Sequence, residues 1–489
     1  METEVENEKG IGLIPLIAII VSGAIGGGVF NLSNDLAGGA TPGGVMVSWV
    51  IIGIGILTLV LSFNYLVTHK PKLVGLPDYA RAGFGDFVGF ISGWGYWLSA
   101  WAGNVAFAVL MMTSVNYFFP GVFADANQSM TLLAVIVVSV ISWSLTILVI
   151  NGVESAAFIN AIVLAAKLIP LLVFTVVAIV MFKAGIFSAH FWENVSINSQ
   201  GAAEFGPMTG SGLWHQVQAS LMVMIWVFVG IEGATMMGGR ARRKSDAGRA
   251  SIIGFLLLLG IYILLSLLPY GYYDQSALAA MEQPGLVGIL QGMVGPWGGT
   301  LMALGVIISL LGAWLSWTML PVESTTQLAD MKLLPPWFGV MNKHKAPQHA
   351  LLLTQGFVQL FLIITFFAAD AYNVFVYLCT SVIMVAYALV AGYMIKLGIK
   401  ENNWVPLIIG LIAGIFQVGA LIMSGWEFVW MATILYMFGF ALYIAARKIY
   451  NRVIPVGEWV AMVVISILAI VALYGLFADK FGLRELLGL

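Results

Sequence analysis

Apolar residues run along this chain in long blocks separated by short polar interruptions. Thirteen blocks come near or exceed the roughly 20 residues a helix needs to cross a bilayer core about 30 Å thick. They lie near 11–37, 44–68, 87–118, 131–150, 156–183, 216–239, 250–270, 294–322, 350–368, 371–397, 404–424, 427–446 and 458–478. The largest interruptions, about 184–215 and 323–349, leave no room for a soluble catalytic module. Before the third block, Leu76–Gly85 reads LPDYARAGFG and predicts a short interfacial helix, with Tyr79 and Arg81 at the headgroup level.

Composition agrees with a polytopic membrane protein. Of 489 residues, 61% are hydrophobic and 9% charged, with a mean hydropathy of +0.98, whereas soluble domains carry about 25% charged residues. The balance of 21 Lys and Arg against 23 Asp and Glu leaves no basic footprint for nucleic acid. The single cysteine, Cys379, excludes an internal disulfide or a cysteine-built metal site, and its apolar surroundings predict inert packing. Met1 to Lys9 holds four Glu and one Lys, unlike the basic start of a cleaved signal peptide, so the first block is expected to be retained. The loop charges give the orientation. With the N-terminus inside, seventeen of the 21 cations fall on the cytoplasmic side, Lys183, Lys480 and Arg484 fall outside, and Lys167 lies within a span. A wrong span count would scramble that pattern from the error onward, so thirteen crossings with the C-terminus outside are predicted.

Two blocks are interrupted by glycine. The first contains Ser22-Gly23-Ala24-Ile25-Gly26-Gly27-Gly28, and the sixth contains Phe228-Val229-Gly230-Ile231-Glu232-Gly233. Glycine in a helix interior costs about 1 kcal/mol relative to Ala, so the run of three favours an unwound segment, which survives at membrane depth only inside protein or beside a wet cavity. Small residues that merely let helices approach closely are the alternative. The two interrupted blocks are five apart and so cross in opposite directions, which suits an inverted repeat of spans 1–5 and 6–10. The divisions expected are a cytoplasmic N-terminus (1–10), a first repeat (11–183), an extracellular loop (184–215), a second repeat (216–397), additional helices (404–478) and a C-terminal tail (479–489). Tyr96-Trp97-Leu98-Ser99-Ala100-Trp101 in span 3 and Ala313-Trp314-Leu315-Ser316-Trp317-Thr318 in span 8 are weakly alike. Opposed half-helix ends present amide N–H groups to an anion and carbonyls to a cation, so a zwitterionic amino acid fits both.

A charge near the bilayer centre costs at least about 2.5–3.5 kcal/mol, so Glu232 and Lys167 are expected to face the bundle interior. Glu232 is either a coupling carboxylate or a protonated structural group. Lys167 either ties unwound carbonyls or stands where a sodium ion would sit, and both readings count against sodium dependence. Glu154, Glu323 and Asp370 fall near span ends and read as solvated or capping groups. Among the many aromatics, Trp226 and Trp317 lie in spans that the repeat brings to the centre; each either holds a cationic side chain by cation–π attraction, worth about 2 kcal/mol when desolvated, or packs. The motifs HExxH, GxxxxGK[ST] and GxSxG are absent, as is a Cys/His cluster, so neither an enzyme nor a metal or cofactor site is expected.

These residues resemble the amino acid–polyamine–organocation transporters, and within them the basic amino acid antiporters, most nearly the bacterial arginine/ornithine group. The resemblance rests on Gly26-Gly27-Gly28-Val29-Phe30, the stretch GDFVGFISGWGYWLSAWAGN from Gly85 to Asn104, Trp226 through Glu232 and Gly233, and Trp317-Thr318. It implies an all-α, LeuT-like fold with a five-plus-five inverted repeat and broken helices 1 and 6, in a bacterial cell membrane. By the same resemblance the amides of Gly26, Gly27 and Gly28 would bind the substrate carboxylate, and the carbonyls of Ala24, Trp226 and Val229 the α-amino group. Ser99, Ala100, Asn104, Trp317, Thr380 and Ser381 would surround the side chain. Trp226 would act as an aromatic gate, Tyr96 as part of a gating layer, Glu232 as the proton-sensitive glutamate, and Lys167 as the lysine of sodium-independent members. Gly27 departs from a family serine and Gly23 from an asparagine, and the run Thr318-Met-Leu-Pro321-Val-Glu323 differs from that of the arginine/ornithine group. The function implied is exchange of an amino acid for its metabolic product, arginine/ornithine first. Histidine/histamine, lysine/cadaverine, tyrosine/tyramine and agmatine/putrescine exchange, or proton-coupled symport, are the alternatives. The partners implied are small amino acids and amines and the lipid bilayer; the sequence leaves a homodimer open.

Overall fold

The computed structural model describes residues 10–125, 129–152, 156–236, 241–366 and 371–478, without the side chains of 156–162, 165, 234, 236 and 244. The expectations for most of the cytoplasmic N-terminus, for Glu154, Arg240 and Asp370, and for the C-terminal tail lie outside the described residues.

The chain is a bundle of helices. Interrupted α1 (Leu13–Ala24) and α2 (Leu32–Ala37) are followed by α3 (Pro42–His69), α4 (Gly75–Phe84), α5 (Asp86–Asn116), α6 (Leu132–Ile150), α7 (Ala156–Val180) and α8 (Ala184–Ala189). A hairpin of β1 (Glu193–Ile197) and β2 (Ala203–Pro207) pairs antiparallel with Glu193 opposite Pro207. Then come α9 (Gly210–Trp226), α10 (Gly233–Met236), α11 (Lys244–Leu267), α12 (Gln275–Ala279), α13 (Gly285–Val294), α14 (Pro296–Asp330), α15 (Gln348–Ile364), α16 (Ala371–Lys400), α17 (Trp404–Met423), α18 (Trp426–Ile449) and α19 (Val456–Phe477).

Among the described residues, nine helices are long and apolar enough to cross a membrane, each overlapping one of the thirteen predicted blocks. Blocks 1, 5, 6 and 9 hold interrupted helices or shorter apolar runs. Several expectations need correction. The sixth block begins at Gly210, inside the predicted loop 184–215, and that loop also carries α8 and the hairpin, the one departure from an all-α chain among the described residues. Tyr79 is fully buried within the protein, so its ring does not face lipid headgroups. Glu323 sits inside α14, not at its end, because that helix continues to Asp330 past Pro321.

The centre and the periphery differ in cover. The most apolar stretch of α5 is 94% buried and that of α16 is 78%, whereas α17 and α19 are 28% and 22% buried. Lipid tails are as apolar as leucine, so close packing and polar contacts must hold the centre together. Gly55 of α3 accordingly receives the Phe416 ring of α17, where a Cβ would collide with it.

The two halves share a device that the weak similarity of spans 3 and 8 does not mark. The ten-residue helix α4 ends at Gly85, with φ 95° and ψ −178°, and the 31-residue α5 follows. The ten-residue helix α13 ends at Gly295, with φ 89° and ψ −172°, and the 35-residue α14 follows. Both angles lie in the region only glycine adopts freely. Counted from these hinges, Trp97 and Trp314 are not equivalent positions.

Candidate functional site

The site forms where two helices stop short. The first gives way after Ala24; its chain resumes as a single 3₁₀ turn at Gly28–Phe30 and then as α2. The second stops at Trp226 and resumes at Gly233. The glycines here serve different ends. Gly26, Gly27 and Gly28 have no positive φ; they supply space, since a Cβ on Gly26 would come 2.9 Å from the Phe107 ring and one on Gly28 would collide with the Trp226 indole. Gly230 does need its conformation, at φ 106°, and lies where a Cβ would meet the Gly23 carbonyl group at 3.2 Å, so the two breaks touch through glycine.

The carbonyls freed by the first break have partners. The Lys167 Nζ, fully buried, donates to the carbonyls of Ser22 (2.6 Å) and Ile25 (2.9 Å). Ser309 Oγ of α14 also donates to Ile25 (3.2 Å). Of the two readings of Lys167, the geometry realises the tie to unwound carbonyls. The Gly26 N–H is engaged locally by the Ala24 carbonyl at 2.8 Å, and the Trp226 carbonyl accepts from Val229 N–H at 3.0 Å. Backbone groups expected to meet a zwitterion are thus partly satisfied by one another.

Ala24, the three glycines, Val229, Trp226 and Trp317 meet around a cavity of about 10 Å³, room for roughly one water. An amino acid enters only if these walls part. The indoles of Trp226 and Trp317 approach edge to face with centroids 6.0 Å apart, and Phe107 completes a triangle at 5.8 Å from each. Trp317 Nε1 donates to the Gly23 carbonyl at 3.4 Å, and Asn104 Nδ2 donates to the Trp317 carbonyl at 3.3 Å.

Beside this lies a second buried group of side chains. Glu232 Oε2 accepts from the Gly230 N–H (3.0 Å) and from the Tyr387 hydroxyl (2.6 Å). Tyr96 and Cys379 also lie near the carboxylate, and Cys379 Sγ contacts Ser99 Oγ at 3.0 Å. Of two further predicted residues, the Thr380 hydroxyl donates to the Val376 carbonyl of its own helix (2.7 Å), and the Ser381 hydroxyl is buried without a hydrogen bond. Ala100 is buried on α5.

Sequence reasoning missed Gly103, Phe107, Cys379 and Tyr387. A Cβ on Gly103 would lie 3.1 Å from Trp317 and 3.3 Å from Trp226. The spacing of Tyr96, Ser99, Gly103 and Phe107 is that of one helix face, and continuing the stripe outward from Tyr96 and Ser99 would have found the last two.

Comparison with known proteins agrees with this architecture. The family model described as "Amino acid permease" matches residues 11–471. The chain is 63% identical to the arginine/ornithine antiporter ArcD1 of Lactococcus lactis subsp. cremoris, covering 99% of this chain and 93% of that protein. It is 36% identical to an arginine/ornithine antiporter of Pseudomonas aeruginosa, over 96% of this chain and 98% of that one. It is 34% identical to an arginine/agmatine antiporter of Chlamydia abortus, over 98% and 99%.

Proposed function

The chain belongs to the amino acid permease family, and we propose that it is a secondary active antiporter that exchanges arginine for ornithine by alternating access. The observation that carries this reading is the 63% identity, along essentially the whole chain, to a relative named for that exchange. The geometry supports it: two opposed helix breaks offer amides to a carboxylate and carbonyls to an ammonium, and two indole faces beside them suit a cationic side chain.

Within this reading, Gly26, Gly27 and Gly28 receive the carboxylate once the local Gly26 to Ala24 hydrogen bond opens. The carbonyls of Ala24, Trp226 and Val229 take the α-amino group. Ser99, Ala100, Asn104, Trp317, Thr380 and Ser381 belong to the side-chain end. Trp226 closes over the substrate, Tyr96 belongs to a gating layer, Glu232 senses protons or substrate charge, and Lys167 fixes the first break where a sodium ion is not needed. The chain crosses a bacterial cell membrane thirteen times with its N-terminus in the cytoplasm. It performs no covalent chemistry. Substrate binding across both breaks shifts the population between outward- and inward-open states, and the empty carrier returns slowly.

A counterflow panel in proteoliposomes tests this. Vesicles preloaded with ornithine should take up labelled arginine, and those loaded with histamine, cadaverine, tyramine or putrescine should not. Uptake into empty vesicles that vanishes with the proton gradient would replace exchange by symport.

A further inference from the structure

Where α4, α5, α18 and α19 meet, positive charge is left over. Arg81, Arg447 and Arg452 gather on Asp86, and Arg447 also reaches Glu458, so three guanidinium groups face two carboxylates. Two further cations stand close by: Lys332 lies 5.6 Å from the Tyr450 ring, and Lys448 is exposed one position after Arg447. Arg447 is buried, but the side chains of Arg81 and Arg452 are 32% and 39% exposed. Arg81 engages Asp86 through Nε, and Arg452 engages it through Nη1 at a long 3.4 Å. Both Nη groups of Arg81 and the Nη2 of Arg452 have no acceptor among the described residues. The depth and the neighbours point to what would supply one. Asp86 opens α5, Arg447 lies in the last turn of α18 and Glu458 in the first turn of α19, so the cluster stands where spanning helices leave the bilayer core. Beside it, the connection from α18 to α19 exposes Val453 and Val456 at 86% and 79%, an apolar edge suited to the boundary of headgroups and acyl chains.

We infer that this cluster binds the phosphate of an anionic phospholipid, held by the guanidinium groups of Arg81 and Arg452 while the acyl chains cover Val453 and Val456. A guanidinium offers paired N–H donors that match phosphate oxygens, and a headgroup with a net negative charge neutralises the surplus that Asp86 and Glu458 leave. A zwitterionic headgroup brings no net charge and leaves that surplus in place. The bound lipid ties α4 to the connection between α18 and α19. It uses nothing of the central site, so it stands whether or not arginine is the cargo.

Thermal unfolding of the purified full chain in detergent, titrated with dioleoylphosphatidylglycerol or with dioleoylphosphatidylcholine, tests it. Phosphatidylglycerol should raise the midpoint saturably, and phosphatidylcholine should not. Arg452→Gln and Arg81→Gln should each raise the half-saturating phosphatidylglycerol concentration about fivefold, the scale of one cation at an anionic surface. Arg452→Lys should recover part of that loss, because it returns the charge without the paired donors. Lys183→Gln, in the segment after α7, should respond as the unaltered chain does. Phosphatidylglycerol retained per chain, counted by native mass spectrometry, should fall in both Gln variants, a readout independent of their stability. An equal response to the two lipids, or an unaltered half-saturation and lipid count in both Gln variants, would overturn the site. The same rise in midpoint from sn-glycerol 3-phosphate alone would assign the cluster to a free phosphate and overturn the lipid.

Discussion

Single side chains at the breaks make separable predictions. Lys167 donates to two buried carbonyls, and leaving each of them unpaired costs about 1–3 kcal/mol. Lys167→Met should therefore lower stability by at least about 2 kcal/mol, read as a fall in the thermal midpoint in detergent, and should stop exchange; an unchanged midpoint would refute the tie. Glu232→Gln should alter the pH dependence of exchange more than substrate affinity, since the carboxylate already has two donors in place; a wild-type pH profile removes it from coupling. Trp317→Leu should weaken binding of a cationic substrate by about 30-fold, the equivalent of about 2 kcal/mol of cation–π attraction. Unchanged affinity would take Trp317 out of the site. Glu232 and Lys167 were legible in the sequence because charge inside a span is rare and needs an explanation. Cys379, Phe107 and Tyr387 were not, because cysteine packs like a small hydrophobe and one aromatic among so many carries no signal until a neighbour singles it out.

At the scale of elements, both helix breaks were legible from glycine, but the reason the sequence suggested was incomplete. Helix weakness alone does not explain Gly26 to Gly28, whose missing Cβ atoms make room for Phe107, Leu110 and Trp226; that needs contacts between distant helices. The matched hinges at Gly85 and Gly295 were invisible as a pair, since their flanking sequences are unlike and only the backbone angles agree. Open space surrounds both glycines, so Gly85→Ala and Gly295→Ala isolate the cost of a side chain at this positive-φ, extended-ψ conformation, about 1–3 kcal/mol each. The two variants should lower the thermal midpoint by similar amounts. A loss confined to one of them would mean that the hinges do different jobs in the two halves.

Across the whole molecule, the loop charges predicted an orientation, but they could not show that some of those cations also hold peripheral helices on the core. Arg81, Arg447 and Arg452 converge on Asp86, with N···O distances of 2.8, 2.7 and 3.4 Å. Arg447 also reaches Glu458 at 3.6 Å, and Tyr443 donates to the same carboxylate at 2.7 Å. The cluster joins α4 and α5 to α18 and α19. It was illegible in sequence because its paired members lie up to 366 positions apart. Helix α19, little covered by protein, depends on it beyond its packing on α18. Asp86 is the hub: without its charge, Arg447 keeps its contact with Glu458, while Arg81 and Arg452 lose their ion pairs with Asp86. Asp86→Asn should therefore lower the thermal midpoint most. Arg447→Met should come next, because Arg447 is buried and bridges both carboxylates, and Arg452→Gln should cost least, because its side chain is 39% exposed and exposed ion pairs are worth about 0–1 kcal/mol. Exchange should keep its KM within about twofold in all three, since Asp86 lies at the end of α5 more than two turns before Tyr96. Equal losses in the three variants would mean that helix packing, rather than this ion cluster, anchors α18 and α19 to the transport core.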